Sequence, residues 1–439
     1  MHRLAALSAH LCPQPGLRKL LVANRGEIAL RVMRAATELE IETVAIFTRL
    51  DADALHTRSA GASVEVPSYL DTAAIVKAAL DNDCDALHPG YGFLSESADL
   101  ARSCEHAGLR FVGPTPATIA LLGDKLAARR LAQHAGVPVA KGSDQPCADA
   151  ASVRAAMADL GLDWPVILKA VGGGGGRGVR PVYSDAQLET AFGACVREAA
   201  AVGAQGGVFV EELLREARHI EVQLLGDGHG GLVHLHERDC SVQRRRQKLI
   251  EVAPALGISD AERGEMLRHA LALGSACGYR SAGTVEFLLP KGRGPIFIEV
   301  NPRIQVEHTV TEEATGVDLV ASQLRIAAGA SLAQLGLARQ QDVVVTHCAI
   351  QARVAMSVPG RVTSYSVPGG PGVRVDGCVF AGYLPPPSFD PLLLKVVARC
   401  PLLTSTHLAR GGGGDDVGVG GSGGDGGDGG GGGRRRQRR

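Results

Sequence analysis

The sequence predicts an α/β protein: an N-terminal doubly wound parallel sheet, an α+β central part and a β-rich C-terminal piece. Four observations lead there. Leu20-Leu21-Val22-Ala23 reads as a short buried strand, Ile28, Val32, Ala35, Ala36 and Leu39 recur at helical spacing, and Thr43 to Phe47 is a second strand. His219 to Leu224 alternates polar and apolar residues. Thr284 to Leu289 and Ile296 to Val300 flank the turn-forming Pro-Lys-Gly-Arg-Gly-Pro, the pattern of an antiparallel hairpin. Finally, strand patterns at Val343 to Val354, Val373 to Val375 and Phe389 to Val397 follow an alanine-rich helix signal that ends near Gly329.

Composition narrows the function classes. The chain has 439 residues and is 45% hydrophobic, enough for two or three domains with real cores. Lys+Arg and Asp+Glu are both 46, so no global field points to nucleic acid or to an anionic membrane, and an anion site must be built locally. The ten cysteines include no C-x-x-C pair, which suits a reducing compartment and argues against structural zinc. No apolar run reaches the roughly 18–20 residues of a bilayer span. Residues 1 to 19 contain His2, Arg3, His10, Arg18 and Lys19 but no acid, as a short organellar presequence would. The cytoplasm and a mitochondrial matrix both stay open as locations. From Gly411 onward glycine, aspartate and a terminal Arg-Arg-Arg-Gln-Arg-Arg predict a disordered tail.

Taken in order, Asn24-Arg25-Gly26-Glu27 ends the first strand, where doubly wound sheets bind ligands; without G-x-G-x-x-G a dinucleotide is not expected. His88 to Glu96, rich in Gly and Pro, reads by itself as an ordinary turn. A helical pattern resumes near Gly123-Asp124-Lys125. Pro165 to Ala170 is a strand carrying Lys169, and a lysine in such a run calls for an anionic partner. Gly172 to Gly176 follows directly. Such a run can cradle phosphate with its N–H groups or move as a lid, although it can equally be a linker, and no G-K-[ST] follows it. Val208 to Glu211 is another strand. Beyond it His219, Glu221 and Gln223 share one strand face. Glu237 to Lys248 then packs four arginines and a lysine into a short stretch, either a solvated face or an anion clamp.

The hairpin carries the sharpest geometry. A turn centred between Gly292 and Arg293 sets Glu286 opposite Glu299 and Thr284 opposite Asn301, so Glu286, Glu299 and Asn301 share a face. Facing carboxylates repel. A hard divalent cation would remove the repulsion, and solvent screening on an exposed face is the alternative.

Val22-Ala23-Asn24-Arg25-Gly26-Glu27-Ile28-Ala29, His88 to Glu96, Lys169 with its glycine run, Arg238-Asp239-Cys240-Ser241 and Glu299 to His308 together resemble biotin carboxylase, the ATP-grasp component of biotin-dependent carboxylases. The resemblance covers roughly Leu20 to Val397. It implies an N-terminal extension over 1–17, a biotin carboxylase N-terminal domain over 18–123 and an ATP-grasp domain over 124–330 with a mobile lid at about 143–213. A shortened, truncated C-terminal domain over 331–400 and a glycine-rich tail over 401–439 would complete the chain. It further implies that Lys125, Lys169, Gly175, Gly176, His219 and Gln243 surround the phosphates of ATP, and that Glu211 and the backbone to Leu214 hold the adenine. Glu286, Glu299 and Asn301 would carry Mg²⁺ or Mn²⁺. Lys248, Arg303, Gln305 and the Val306 amide would position bicarbonate, with Glu307 as general base and Arg374 stabilising the biotin enolate.

The match also has departures. Arg246 stands where the family commonly has histidine, and the stretch between Arg353 and Pro359 is short. No Met-Lys-Met biotinylation motif is present, so biotin would arrive on a separate carrier protein and a carboxyltransferase would be a further chain; a homodimer is also implied. An inactive nucleotide-binding fragment and an ATP-grasp ligase with another acceptor are the alternatives.

Overall fold

The computed structural model describes residues 16–172, 178–201, 207–245 and 247–402. Gly175, Gly176, Arg246, the first 15 residues and the tail from residue 403 lie outside them.

The parallel sheet comprises β1 (Lys19–Val22), β2 (Glu42–Phe47), β3 (Ala62–Glu65), β4 (Ala86–His88) and β5 (Arg110–Phe111), in the order β3-β2-β1-β4-β5. The chain leaves β1 through Gly26, whose φ of +65° makes the sharp entry into the helix Gly26–Glu38 that other residues adopt only under strain. Ile28, Ala29, Val32, Ala35 and Ala36 bury the helix face that the periodicity predicts.

The centre carries two antiparallel sheets. β6 (Val166–Ala170), β7 (Val179–Val182) and β8 (Val208–Glu212) form one, in the order β7-β6-β8. The other joins β9 (Ala217–Asp227), β10 (Leu232–Arg244), β11 (Gln247–Ala253), β12 (Arg280–Pro290) and β13 (Ile296–Asn301) to β14 (His347–Ala355), β15 (Val373–Gly377) and β16 (Leu392–Pro401). Its order is β13-β12-β9-β10-β11-β14-β16-β15. The C-terminal strands therefore continue the central sheet through the β11–β14 pairing of Glu251 with Gln351 and Ile250 with Ala352.

The hairpin pairs Thr284 with Asn301 and Glu286 with Glu299, as its turn requires. Beyond Glu286 the register slips by one: Phe287 faces Phe297 rather than Ile298, a bulge that a symmetric turn does not anticipate. On β9 both faces are buried. Ile220, Val222 and Leu224 pack with Met266, Leu273 and Phe287, and Glu221 and Gln223 on the other side are equally shielded from solvent. The alternation is thus a wall between a core and a buried polar site.

Ion pairs fasten the Gly26–Glu38 helix to the C-terminal elements. Arg31 lies 2.8 Å from Glu312 of the helix His308–Thr315 and 2.7 Å from Asp318, and Arg34 reaches Asp376 of β15 at 2.7 Å. Burial alone would push the Glu312 carboxyl up, but the Arg31 and Arg374 guanidinium groups outweigh it and hold it at about 2 against an ordinary 4.5. The native state therefore binds fewer protons, and this contribution is complete above pH 4.5 and lost as pH falls toward 2. Glu312→Gln is expected to cost on the order of 3 kcal/mol at neutral pH and to flatten stability against pH in that window. Denaturant unfolding at a series of pH values checks this; an unaltered profile would refute it.

Candidate active site

The site is built on the buried polar face of β9 and β12. Four strands deliver Glu221, Gln223, Thr284, Glu286, Arg238 and Lys248 to it. Arg238 of β10 is fully buried, with Nε 2.6 Å from Glu221 and its other nitrogens donating to Gln223 (2.7 Å), Thr311 (3.0 Å), Thr284 (3.1 Å) and Gln305 (2.6 Å). The guanidinium fork thereby fixes two strands, a helix and the turn after β13 at once.

Lys248 of β11 lies beside it, with Nζ 2.5 Å from Glu221, 2.9 Å from Glu286 and 2.7 Å from Glu307. Burial would lower the pKa of this ammonium, yet the three carboxylates raise it well above the usual lysine range. Glu286 also receives hydrogen bonds from Asn301 Nδ2 (2.9 Å) and Gln305 Nε2 (3.0 Å), and His219 Nε2 lies 2.8 Å from it. Although buried, its carboxyl is held well below its ordinary value by Lys248 and His219. Glu307 is likewise buried and pulled down by Lys248, Arg353 and Arg238. Glu299, across the hairpin from Glu286, goes the other way: burial and the neighbouring Glu286 charge raise it, against Lys125 and Lys169.

The two lysines lie on the Glu299 side of the cluster. Lys169 Nζ sits 2.5 Å from Glu211, the anionic partner its buried strand called for, and Arg129 holds the same carboxylate at 2.7 Å. Leu214 follows, half-buried, in the connection to β9. Gln243 Nε2 lies 3.0 Å from His219 Nδ1, which links β10 to the Glu286 cluster.

Glu286, Glu299 and Asn301 offer hard oxygens, and while Glu286 is already compensated by Lys248 and His219, burial and the Glu286 charge leave the Glu299 carboxyl raised; this donor set fits Mg²⁺. Two other groups have their ligating atoms close together, His219 with Glu221 and Glu286, and Glu221 with Cys240 and Glu307. Neither suits a metal as well. Every carboxylate in them is already paired with the Lys248 ammonium, whereas in the hairpin set that holds for Glu286 alone, and burial raises the Cys240 thiol well above its usual value.

Arg303 donates from Nε to Glu96 (2.6 Å) and from Nη2 to Asn301 Oδ1 (3.0 Å). The His88 to Glu96 stretch is therefore more than an ordinary turn. Asn24 Nδ2 donates to the Pro89 and Tyr91 carbonyls, and Tyr91 Oη donates to Glu27. A cavity of about 240 Å³ opens there, at the carboxyl end of β1, lined by Asn24, Tyr91, Phe93, Phe389 and Asp390 among others.

One expected residue is elsewhere. Arg374 is bound by Glu312 (2.8 Å), Glu313 (3.3 Å) and Asp376 (2.7 Å), because β15 is the edge strand and lies beyond β16 and β14 from the Lys248 cluster. The arginine against Glu307 is Arg353 of β14, with Nη2 3.0 Å from Glu307 and Nε 2.6 Å from Glu251. Its signal in the sequence is the period-two spacing of Gln351 and Arg353, which places both on the face toward Glu251.

An antiparallel sheet with a facing carboxylate pair, Glu286 buried and Glu299 half-buried, beside two lysines and packed on a parallel sheet, is the arrangement of an ATP-grasp protein. Family models agree: "Biotin carboxylase, N-terminal domain" matches 16–119, "Carbamoyl-phosphate synthase L chain, ATP binding domain" 124–335, and "Biotin carboxylase C-terminal domain" 350–406. The chain is 45% identical over 394 residues to biotin carboxylase of Pseudomonas aeruginosa, covering 87% of this chain and 86% of that protein. It is 48% identical to pyruvate carboxylase of Aspergillus terreus over 91% of its own length, but spans only 34% of that relative. The biotin carboxylase domain dimer of Hydrogenobacter thermophilus 2-oxoglutarate carboxylase, solved with MgADP, ADP and bicarbonate, superimposes with a TM-score of 0.84 at 39% identity, covering 90% and 88% of the two chains. The chain belongs to the biotin carboxylase family.

Arg238→Ala leaves Glu221 and Gln305 without their buried partner and is expected to destabilise the fold by about 3–5 kcal/mol. Arg293→Ala, which breaks the partly exposed pair with Glu212, should stay within about 1 kcal/mol. Equal losses in denaturant unfolding would contradict the distinction.

Proposed function

We propose that the chain carboxylates the biotin group of a carrier protein, using ATP and bicarbonate. The carrying observation is the convergence of Lys248 and Arg353 on Glu307, with Arg303 in electrostatic range and Lys248 also holding Glu286 of the Glu286–Glu299 pair. Cations gathered around a carboxylate beside a nucleotide-metal face suit a small oxyanion that must be deprotonated and phosphorylated.

Lys125, Lys169, His219 and Gln243, with Gly175 and Gly176 of the lid run, would bind the ATP phosphates, and Glu211 with the backbone to Leu214 the adenine. Glu286, Glu299 and Asn301 would hold Mg²⁺ or Mn²⁺, which when bound neutralises charge on the phosphate oxygens. Lys248, Arg303, Gln305 and the Val306 amide would fix bicarbonate within reach of Glu307. Glu307 takes the bicarbonate proton, and the dianion attacks the γ-phosphorus as the bond to ADP breaks. Carboxyphosphate then splits into CO₂ and phosphate, and phosphate removes the ureido proton of biotin. The resulting enolate bonds to CO₂ through nitrogen. Stabilising that enolate falls to Arg353, beside Glu307 and within electrostatic range of Tyr91, in place of Arg374. A carrier protein and a carboxyltransferase are the expected partners, and the neighbouring domain dimer favours a homodimer.

Two experiments test this. Purified protein should hydrolyse ATP faster with bicarbonate and faster still with free biotin; no bicarbonate stimulation in a folded sample would overturn the reading. Glu299→Gln should lower that activity by about 10² or more while unfolding as the wild type does, and unchanged activity would move the metal face elsewhere. Separately, Arg353→Met should lower biotin-dependent turnover by about 10²–10³, whereas Arg374→Met should act mainly on stability. The reverse pattern would restore Arg374 to the site.

A further inference from the structure

Lys395 of β16 is fully buried, and neither the sequence motifs nor the reaction above uses it. Its ammonium lies 2.8 Å from Glu27 Oε1 and donates to the Val306 carbonyl at 2.8 Å. Glu27, 4% exposed at the start of the Gly26–Glu38 helix, is held from its other oxygen by Tyr91 Oη at 2.5 Å. Lys395 is directly opposite Arg353 in the β14–β16 register and opposite Asp376 in the β15–β16 register. Residues paired across strands project to the same side of a sheet. Two neighbouring cations of the C-terminal strands therefore engage consecutive residues of one turn: Lys395 holds the Val306 carbonyl, and Arg353 the Glu307 carboxylate.

A buried ammonium needs several oxygens, and replacing it by an apolar group would leave a carboxylate and a carbonyl unmet. Such a cost is kept where geometry matters. The carbonyl in question belongs to the peptide joining Val306 to Glu307, so fixing it fixes the direction from which the Glu307 side chain leaves the backbone. The Gln305 side chain on the same turn is fixed independently by Arg238.

We propose that Lys395, anchored by Glu27 and through it by Tyr91, is a positioning residue that sets the Val306–Glu307 peptide for bicarbonate. This rests on the reading of Arg303 to Glu307 as the bicarbonate turn. The bridge acts on the turn, so bicarbonate kinetics carry its effect and ATP affinity does not.

The test uses the full chain with Lys395→Met, and Glu27→Gln as a second variant that keeps the lysine. Lys395→Met should raise KM for bicarbonate about 10-fold and lower kcat/KM for bicarbonate about 10²-fold, with KM for ATP unchanged within about twofold. Hydrogen exchange read by mass spectrometry should show faster exchange across Arg303 to Val310. Glu27→Gln should move both readings the same way by a smaller factor. Unchanged bicarbonate KM and exchange in a folded variant would overturn the proposal, as would equal rises in both KM values. If Lys395→Met does not fold, Glu27→Gln decides by the same two readings. If the wild type shows no bicarbonate-stimulated hydrolysis, the functional reading fails by itself, and the exchange rates alone decide the bridge.

Discussion

Glu221, Glu286 and Glu307 are buried around the ammonium of Lys248, and the rest of the site depends on that constraint. Carboxylates removed from water are tolerated only where cations and hydrogen-bond donors surround them. Arg238, Arg353, His219, Asn301 and Gln305 meet that need from five different segments. Removing a cation from among them leaves a carboxylate less compensated beside a face of β9 whose Glu221 and Gln223 are as inaccessible as the apolar residues opposite.

The turn after β13 shows how this constraint joins the parts of the chain. Glu96, from the parallel-sheet half, holds Arg303, Arg238 of β10 holds Gln305, and Lys395 of β16 holds the Val306 carbonyl. Lys248 of β11 and Arg353 of β14 hold Glu307. Consecutive residues of one short turn thus answer to separate elements. A displacement of the parallel sheet or of the C-terminal strands reaches the same few atoms, and for the proposed reaction, which would order two anions and a proton, such cross-bracing would limit misplacement.

Much of this was legible in the sequence. Side-chain alternation and one turn placed Glu286, Glu299 and Asn301 on one face, and the register bears out both pairings even though the bulge at Ile298 shifts the remainder. Lys169 in an apolar strand implied an anion, and Glu211 supplies it. Other features were hidden because pattern alone gives the face of a strand but not what lies against it. Gln351 and Arg353 alternate as clearly as His219 and Glu221, yet only the β11–β14 pairing shows that they meet Glu251 and Glu307. Arg374 has the same residue type in a glycine-rich setting, and the sequence does not show that an edge strand would surround it with Glu312, Glu313 and Asp376. Lys395 gave no signal separate from the apolar run around it.

The electrostatics of Glu307 bear on how the proposed reaction can be controlled. With Lys248, Arg353 and Arg238 around it, the carboxylate is held well below its ordinary range and is a poor base for the proton that the proposed reaction would give it. Its partners are also the cations a bicarbonate would engage. When an anion enters and draws on Lys248 and Arg353, their attraction for Glu307 weakens and a second negative charge stands beside it; both effects raise its proton affinity. The cations that would bind the substrate would thus be those whose diversion makes the base competent, so Glu307 would gain basicity only when there is something to deprotonate. Arg238, tied to Glu221, Gln223, Thr284, Thr311 and Gln305 with no exposed surface, is not free to follow the anion and keeps the carboxylate in place throughout.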